Sequence, residues 1–159
     1  MAAESTPCIP NPRIELKCCV DSSMLGPLRQ FVSAVARTVG FSDQQVDEIE
    51  ICVDEACANA LEHAYAAEPY QREFPSNDRN ICIEMAFVGN ELTVRVIDHG
   101  RGADHEFHQK LKDLEQYLES DKERFRGLGF YLMHKFMDQV AVHSLPGKGT
   151  TVELKKIRK

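Results

Sequence analysis

The stretch V-D-E-A-C-A-N-A-L-E-H-A-Y, Val53 to Tyr65, decides how this chain is read. It has the composition of a helix, yet its apolar residues fall almost all the way round. Ile51, Cys52, Val53, Ala56, Cys57, Ala58, Ala60 and Leu61 leave little room for a solvent face. Glu55 and Asn59 stand among them one turn apart, so they project side by side and can reach one ligand. A polar stripe that is merely wet is the plain account of such a pair. The costly burial of an unpaired carboxylate favours a polar pocket or a cation instead.

Upstream of this helix, Ser42 with Gln45 three residues on has the form of a capping box, so the helix is expected from Ser42 to about Tyr65. Before it, R-I-E-L-K-C-C-V (Arg13–Val20) alternates as a half-buried strand. Leu25, Leu28, Phe31, Val32, Val35 and Val39 then recur at helical spacing between Ser23 and Gly40. Downstream, residues 66–80 read as a loop. Ile81–Val88 and Glu91–Asp98 face each other across Gly89-Asn90, a hairpin turn dipeptide. Residues 103–126 are irregular and highly charged, with room for a short helix at 107–119. Helical periodicity resumes in G-L-G-F-Y-L-M-H-K-F-M-D, and P-G-K-G joins a final hairpin, Gln139–Leu145 with Thr150–Ile157.

Helices and antiparallel strands mix here without β-α-β alternation, which predicts an α+β fold: a two-layer α/β sandwich with a mixed, mostly antiparallel sheet. Residues 1–11 are read as a loose N-terminal arm and 12–159 as one domain, about the size that encloses a single core. No apolar run approaches the roughly 18 residues of a membrane span. The N-terminal residues show no basic segment followed by an apolar one, so a cytoplasmic location is expected. The six cysteines lack any C-x-x-C pair and several lie in apolar runs, as reduced, buried thiols do. A net charge of −6 argues against nucleic acid as a partner, although L-K-K-I-R-K at the end reads as a small basic tail.

Three further elements carry chemistry. Asp98 ends an apolar strand in D-H-G-R-G, where Gly100 and Gly102 permit either a tight turn or close approach to a ligand. Gly127 and Gly129, in R-G-L-G-F, open a long helix, where free N–H groups suit phosphate, or else mark a corner. G-K-G-T (Gly147–Thr150) is no P-loop, because the spacing of the Walker pattern is not met and the motif lies between strands. On its own it reads as a β-turn. His99, His105 and His108 lack the companions of a structural metal site. Phe130, Met133, Phe136 and Met137 have the spacing of core residues.

In their order, E-x-x-x-N on a helix, D-x-G-x-G after a strand, G-x-G opening a helix and G-x-G-T in the last hairpin, these elements resemble the N, G1, G2 and G3 boxes of the Bergerat-fold ATPases. This superfamily holds the ATP-binding domains of gyrase, heat-shock chaperones, histidine kinases and mismatch-repair proteins. Within it, D-E-A-C-A-N-A-L-E-H-A-Y and G-L-G-F-Y-L-M-H-K-F-M-D look similar to the anti-sigma factor serine-protein kinases of bacterial partner switching. The resemblance spans about Arg13 to Lys156.

It implies ATP and Mg2+ as cofactors, with Asn59 on the Mg2+ that bridges the phosphates and Glu55 as base toward the attacking hydroxyl. By the same resemblance Asp98 accepts from the adenine amino group, Gly100 and Gly102 shape that pocket, and Thr150 sits near the base. Gly127, Leu128 and Gly129 meet the phosphates through backbone N–H groups, and His63 lies near the nucleotide. Residues 103–126 become the lid, from which Lys122, Arg124 and Arg126 either offer positive charge to the phosphates or remain solvated.

The expected function is an ATP-dependent serine-protein kinase and anti-sigma factor that binds a sigma factor and phosphorylates an anti-anti-sigma protein, acting as a homodimer. A non-catalytic ATP-binding module that sequesters a regulator is the alternative, against which Glu55 speaks. A sensor histidine kinase fits less well, because no helical hairpin presents a phospho-accepting histidine.

Overall fold

The computed structural model describes residues 13–19, 22–64, 80–102 and 128–159, with the backbone alone for 63 and 64. The expected lid at 103–126 and the arm at 1–11 lie outside these residues, as do Arg126 and Gly127. In chain order the elements are β1 (Arg13–Cys19), α1 (Leu25–Thr38) after a 3-10 turn at Ser22–Met24, α2 (Asp43–Asn59), β2 (Asn80–Val88), β3 (Glu91–Asp98), α3 (Leu128–Phe136), β4 (Gln139–Leu145) and β5 (Gly149–Ile157). The strands form one sheet in the order β1-β2-β3-β5-β4. The sequence suggested a mixed, mostly antiparallel sheet, and among the described residues every pairing is antiparallel.

Period-2 alternation assigns the two faces. On one face the rows Leu16–Ile83–Val96–Val152–Val142 and Ile14–Met85–Val94–Leu154–Val140 run across the sheet. They join Val32, Val46, Ile49, Val53 and Met133 of the helices in one core. The other face carries ion pairs, with Arg95 Nε 2.7 Å from Glu153 and its Nη1 3.5 Å from Glu84. Such exposed pairs keep the face soluble and add little stability. The helices therefore cover one side, giving two layers.

The capping box at α2 forms as read: the Gln45 N–H donates to Ser42 Oγ at 3.3 Å, and the Ser42 N–H to Gln45 Oε1 at 3.5 Å. Gly40, at φ 90°, ends the helical region before it, a conformation that glycine adopts without penalty. The far end of α2 differs from expectation, since α-helix stops at Asn59 and the chain continues as a π-helical turn, Ala60–Ala64.

Two other expectations are corrected. Cys52, Cys57 and Cys82 are buried, but Cys19 is exposed and Cys18 only half-buried, because β1 alternates at the sheet edge. The basic tail is largely part of the fold: Lys156 is 6% exposed, and Arg158 donates to the Val39 carbonyl and stacks over Phe87 at 5.2 Å.

Candidate functional site

The last inward row at one end of the sheet turns polar on its last three strands. Ile81, Asp98, Thr150 and Ser144 stand side by side on β2, β3, β5 and β4, where the neighbouring rows are aliphatic. Asp98 is 5% exposed. Its Oδ1 accepts from the Gly100 N–H at 3.0 Å and the Thr150 N–H at 3.2 Å. Among the described residues no hydrogen bond reaches Oδ2. Burial pushes the carboxyl above the ordinary aspartate range, and the two N–H bonds and His99 offset this only in part. Thr150 Oγ1 lies 2.7 Å from Ser144 Oγ, a buried hydroxyl that also donates to the Gly149 carbonyl at 3.3 Å. Ser144 carried no signal of its own in the sequence beyond sharing the inward phase of Val140 and Val142.

The glycines of this end act mainly on backbone. Gly102 has φ 68° and Gly149 φ 85°. A Cβ on Gly102 would collide with the Leu145 carbonyl, and one on Gly149 with the Asp98 carbonyl. The Gly147 N–H donates to the Arg101 carbonyl at 2.6 Å. Two turns far apart in sequence are thereby locked together, which fixes the Thr150 amide against Asp98. Gly100 instead contributes its N–H to the carboxylate. The 146–148 segment is a turn between strands, as its chemistry predicted.

Glu55 and Asn59 sit half-buried on α2. Gly129, in the first turn of α3, packs against Glu55 so closely that a Cβ there would stand 2.5 Å from Glu55 Oε2. The bare first turn of α3 and the carboxylate thus share one place. Leu128 beside it is 52% exposed. The structure brings together Asp98, Gly100, Gly102 and Thr150 in one group and Glu55 with Gly129 in another. The His63 side chain, Arg126 and Gly127 lie outside the described residues.

A half-buried carboxamide one turn from a carboxylate offers the oxygen donors that a hard cation prefers. A buried aspartate with one oxygen committed to backbone and the other unbonded can accept from an amino group. A glycine helix start leaves backbone N–H groups open to phosphate. Cys52 and Cys57, also on α2, are no nucleophiles, since burial pushes both thiols up to about 12.

The sequence profile of the histidine kinase-like ATPase domain matches residues 20–156. The serine-protein kinase RsbW of Bacillus velezensis is 34% identical over 146 residues, 90% of this chain and 84% of that protein. The anti-sigma F factor of Thermoanaerobacter sp. is 32% identical over 135 residues, 80% of this chain and 81% of that protein. Among solved structures, the SiaB–SiaC complex from Pseudomonas aeruginosa matches with a TM-score of 0.63 at 11% identity, over 91% of this chain and 88% of that one. The last shows a shared fold.

Proposed function

The chain belongs to the histidine kinase-like ATPase domain family, and on that footing we propose that it is an ATP-dependent serine-protein kinase and anti-sigma factor. It binds a sigma factor and transfers the γ-phosphate of ATP to a serine of an anti-anti-sigma protein. Relatives bearing the names serine-protein kinase and anti-sigma factor support this reading. The observation that carries it is the contact of Glu55 with Gly129, which puts a candidate base at the helix start suited to phosphate.

In this reading Asp98 Oδ2 accepts from the adenine amino group, while Thr150 and Ser144 border the base. The Leu128 and Gly129 N–H groups hold phosphate oxygens, joined by Gly127 and Arg126. Asn59 would hold Mg2+, which would supply neutralising charge to the phosphates. Glu55 orients the incoming serine hydroxyl and takes its proton. Little covalent work falls to the protein, so positioning is its main contribution. In this reading the protein works as a homodimer in the cytoplasm.

The test is transfer of labelled phosphate from ATP to candidate partner proteins by the wild type and Glu55→Ala. Acid-stable label on a partner serine, lost in Glu55→Ala, is the expected result. ATP binding and partner capture without any transfer would replace the kinase by an ATP-gated sequestering module.

A further inference from the structure

Lys156 lies at the end of β5 remote from Thr150. The pairings Leu92↔Lys156 and Asp98↔Thr150 mark opposite ends of the same strand pair, roughly 20 Å apart at the rise of a β-strand. It cannot touch a nucleotide held at Asp98. Its ammonium is nevertheless buried, donating to Glu48 Oε2 on α2 at 2.6 Å and to the carbonyl of Phe136, the last residue of α3. It caps that helix at the end where the dipole favours a cation.

Three contacts tie α2 to α3 in sequence. Glu48 meets Phe136 through Lys156, the Cys52 thiol lies 3.7 Å from the Leu132 carbonyl, and Glu55 meets Gly129. Numbers rise on α2 as they fall on α3, so the helices run antiparallel. The Lys156 clamp sits two turns from the Glu55–Gly129 contact on both of them. A rigid helix carries a shift at one end to the other. At position 129 itself no Cβ separates α3 from Glu55.

We infer that Lys156 is a positioning residue for phosphate recognition: its ammonium, shared between Glu48 and the α3 C-terminus, sets the register of α3 on α2 and thereby places the Gly129 amide relative to Glu55 and Asn59. This rests on the nucleotide reading above and extends it to a residue far from the ligand. The adenine pocket is built on strands and turns at the other end of β5, away from the α2–α3 contact. The consequence is selective. Loosening the clamp weakens recognition of the terminal phosphate and spares recognition of the base.

The experiment compares Mg·ATP and ADP binding by calorimetry in the wild type, Lys156→Met and the double variant Glu48→Met/Lys156→Met. The double variant removes both charges together, so a buried ion pair gives way to apolar groups and the fold is retained. Its ATP affinity is expected to fall about tenfold relative to its ADP affinity, a shift that general destabilisation would not produce. Lys156→Arg, which keeps a cation between the same partners, is expected to recover part of the ratio. A folded double variant with the wild-type ATP-to-ADP ratio overturns the inference. A wild type that binds neither nucleotide overturns the underlying reading, and this inference with it.

Discussion

Asp98 and Lys156 are both buried, at opposite ends of the β3–β5 pair, and they meet burial in opposite ways. Lys156 is 6% exposed and Asp98 5%. The ammonium of Lys156 finds a carboxylate and a helix-end carbonyl within the chain. For its partner Glu48, burial alone raises the carboxyl pKa, but hydrogen bonds from Lys156 and Gln44 win and hold it below the ordinary range. For Asp98 burial wins over two backbone N–H bonds, and the carboxyl rises. One buried charge is completed inside the protein and holds helices in place. The other commits one oxygen to two backbone N–H groups and leaves the second free, among the described residues, to accept from a ligand.

The largest expected effect falls on the completed pair. Lys156→Met leaves the Glu48 carboxylate with Gln44 alone and takes the buried donor from the Phe136 carbonyl, and urea unfolding is expected to show a loss of about 3 kcal/mol. Glu48→Met/Lys156→Met recovers most of it. Equal losses in the single and double variants would mean that the two charges are not coupled.

Next comes the junction between the two regions. Position 129 has no positive φ, so Ala there meets no backbone strain, only Glu55. Gly129→Ala displaces that carboxylate, and phosphoryl transfer is expected to fall about a hundredfold while the protein stays folded. Unchanged transfer would remove Glu55 from its role as base.

A smaller change is expected at the open end. Ser144→Ala deprives Thr150 Oγ1 of its 2.7 Å partner, and ATP affinity is expected to drop about fivefold, the equivalent of one ordinary hydrogen bond. Titration of the variant decides it.

The smallest effect is on pH dependence, and it has opposite signs at the two ends. Because the folded pKa of Asp98 is raised, its contribution to stability is lost as pH rises from the ordinary value of 3.8 through the raised one. ATP affinity runs the other way, weakening as pH falls and the carboxylate is protonated. The lowered pKa of Glu48 contributes stability that is present above the usual 4.5 and lost as pH falls through the folded value. Thermal melts of Asp98→Asn and Glu48→Gln across acidic and neutral pH separate the two slopes.

Much of this contrast could be read from local pattern. The Ser42–Gln45 box, the Gly89-Asn90 turn and the helical spacing of Glu55 and Asn59 are short-range signals, and each element formed where they placed it. The open end was legible too, because Asp98, Gly102 and Gly149 are residue types that a strand end or a left-handed turn selects. What the glycines do there was less so. Gly102 and Gly149 make room for carbonyls of Leu145 and Asp98, contacts between turns distant in sequence that no local pattern encodes.

The strand reading Thr150–Ile157 included Lys156, but its burial was hidden for a different reason. Thr150, Val152, Leu154 and Lys156 share one inward phase, yet L-K-K-I-R-K looks basic by composition, and composition hid the alternation. The π-helical turn after Asn59 had no signal at all in V-D-E-A-C-A-N-A-L-E-H-A-Y, where the helix formers continue unbroken.

Titrating Mg·ATP into the wild type and Asp98→Asn by calorimetry, with a melting curve of each empty protein, tests most directly whether the buried carboxylate is there for a nucleotide. The Asn side chain must turn its oxygen to the Gly100 and Thr150 N–H groups and so meets the adenine amino group with a second donor. Affinity is therefore expected to fall about a hundredfold, while the empty variant melts above the wild type because a buried charge is gone. Undiminished ATP binding in Asp98→Asn, or no binding by the wild type, would contradict the account.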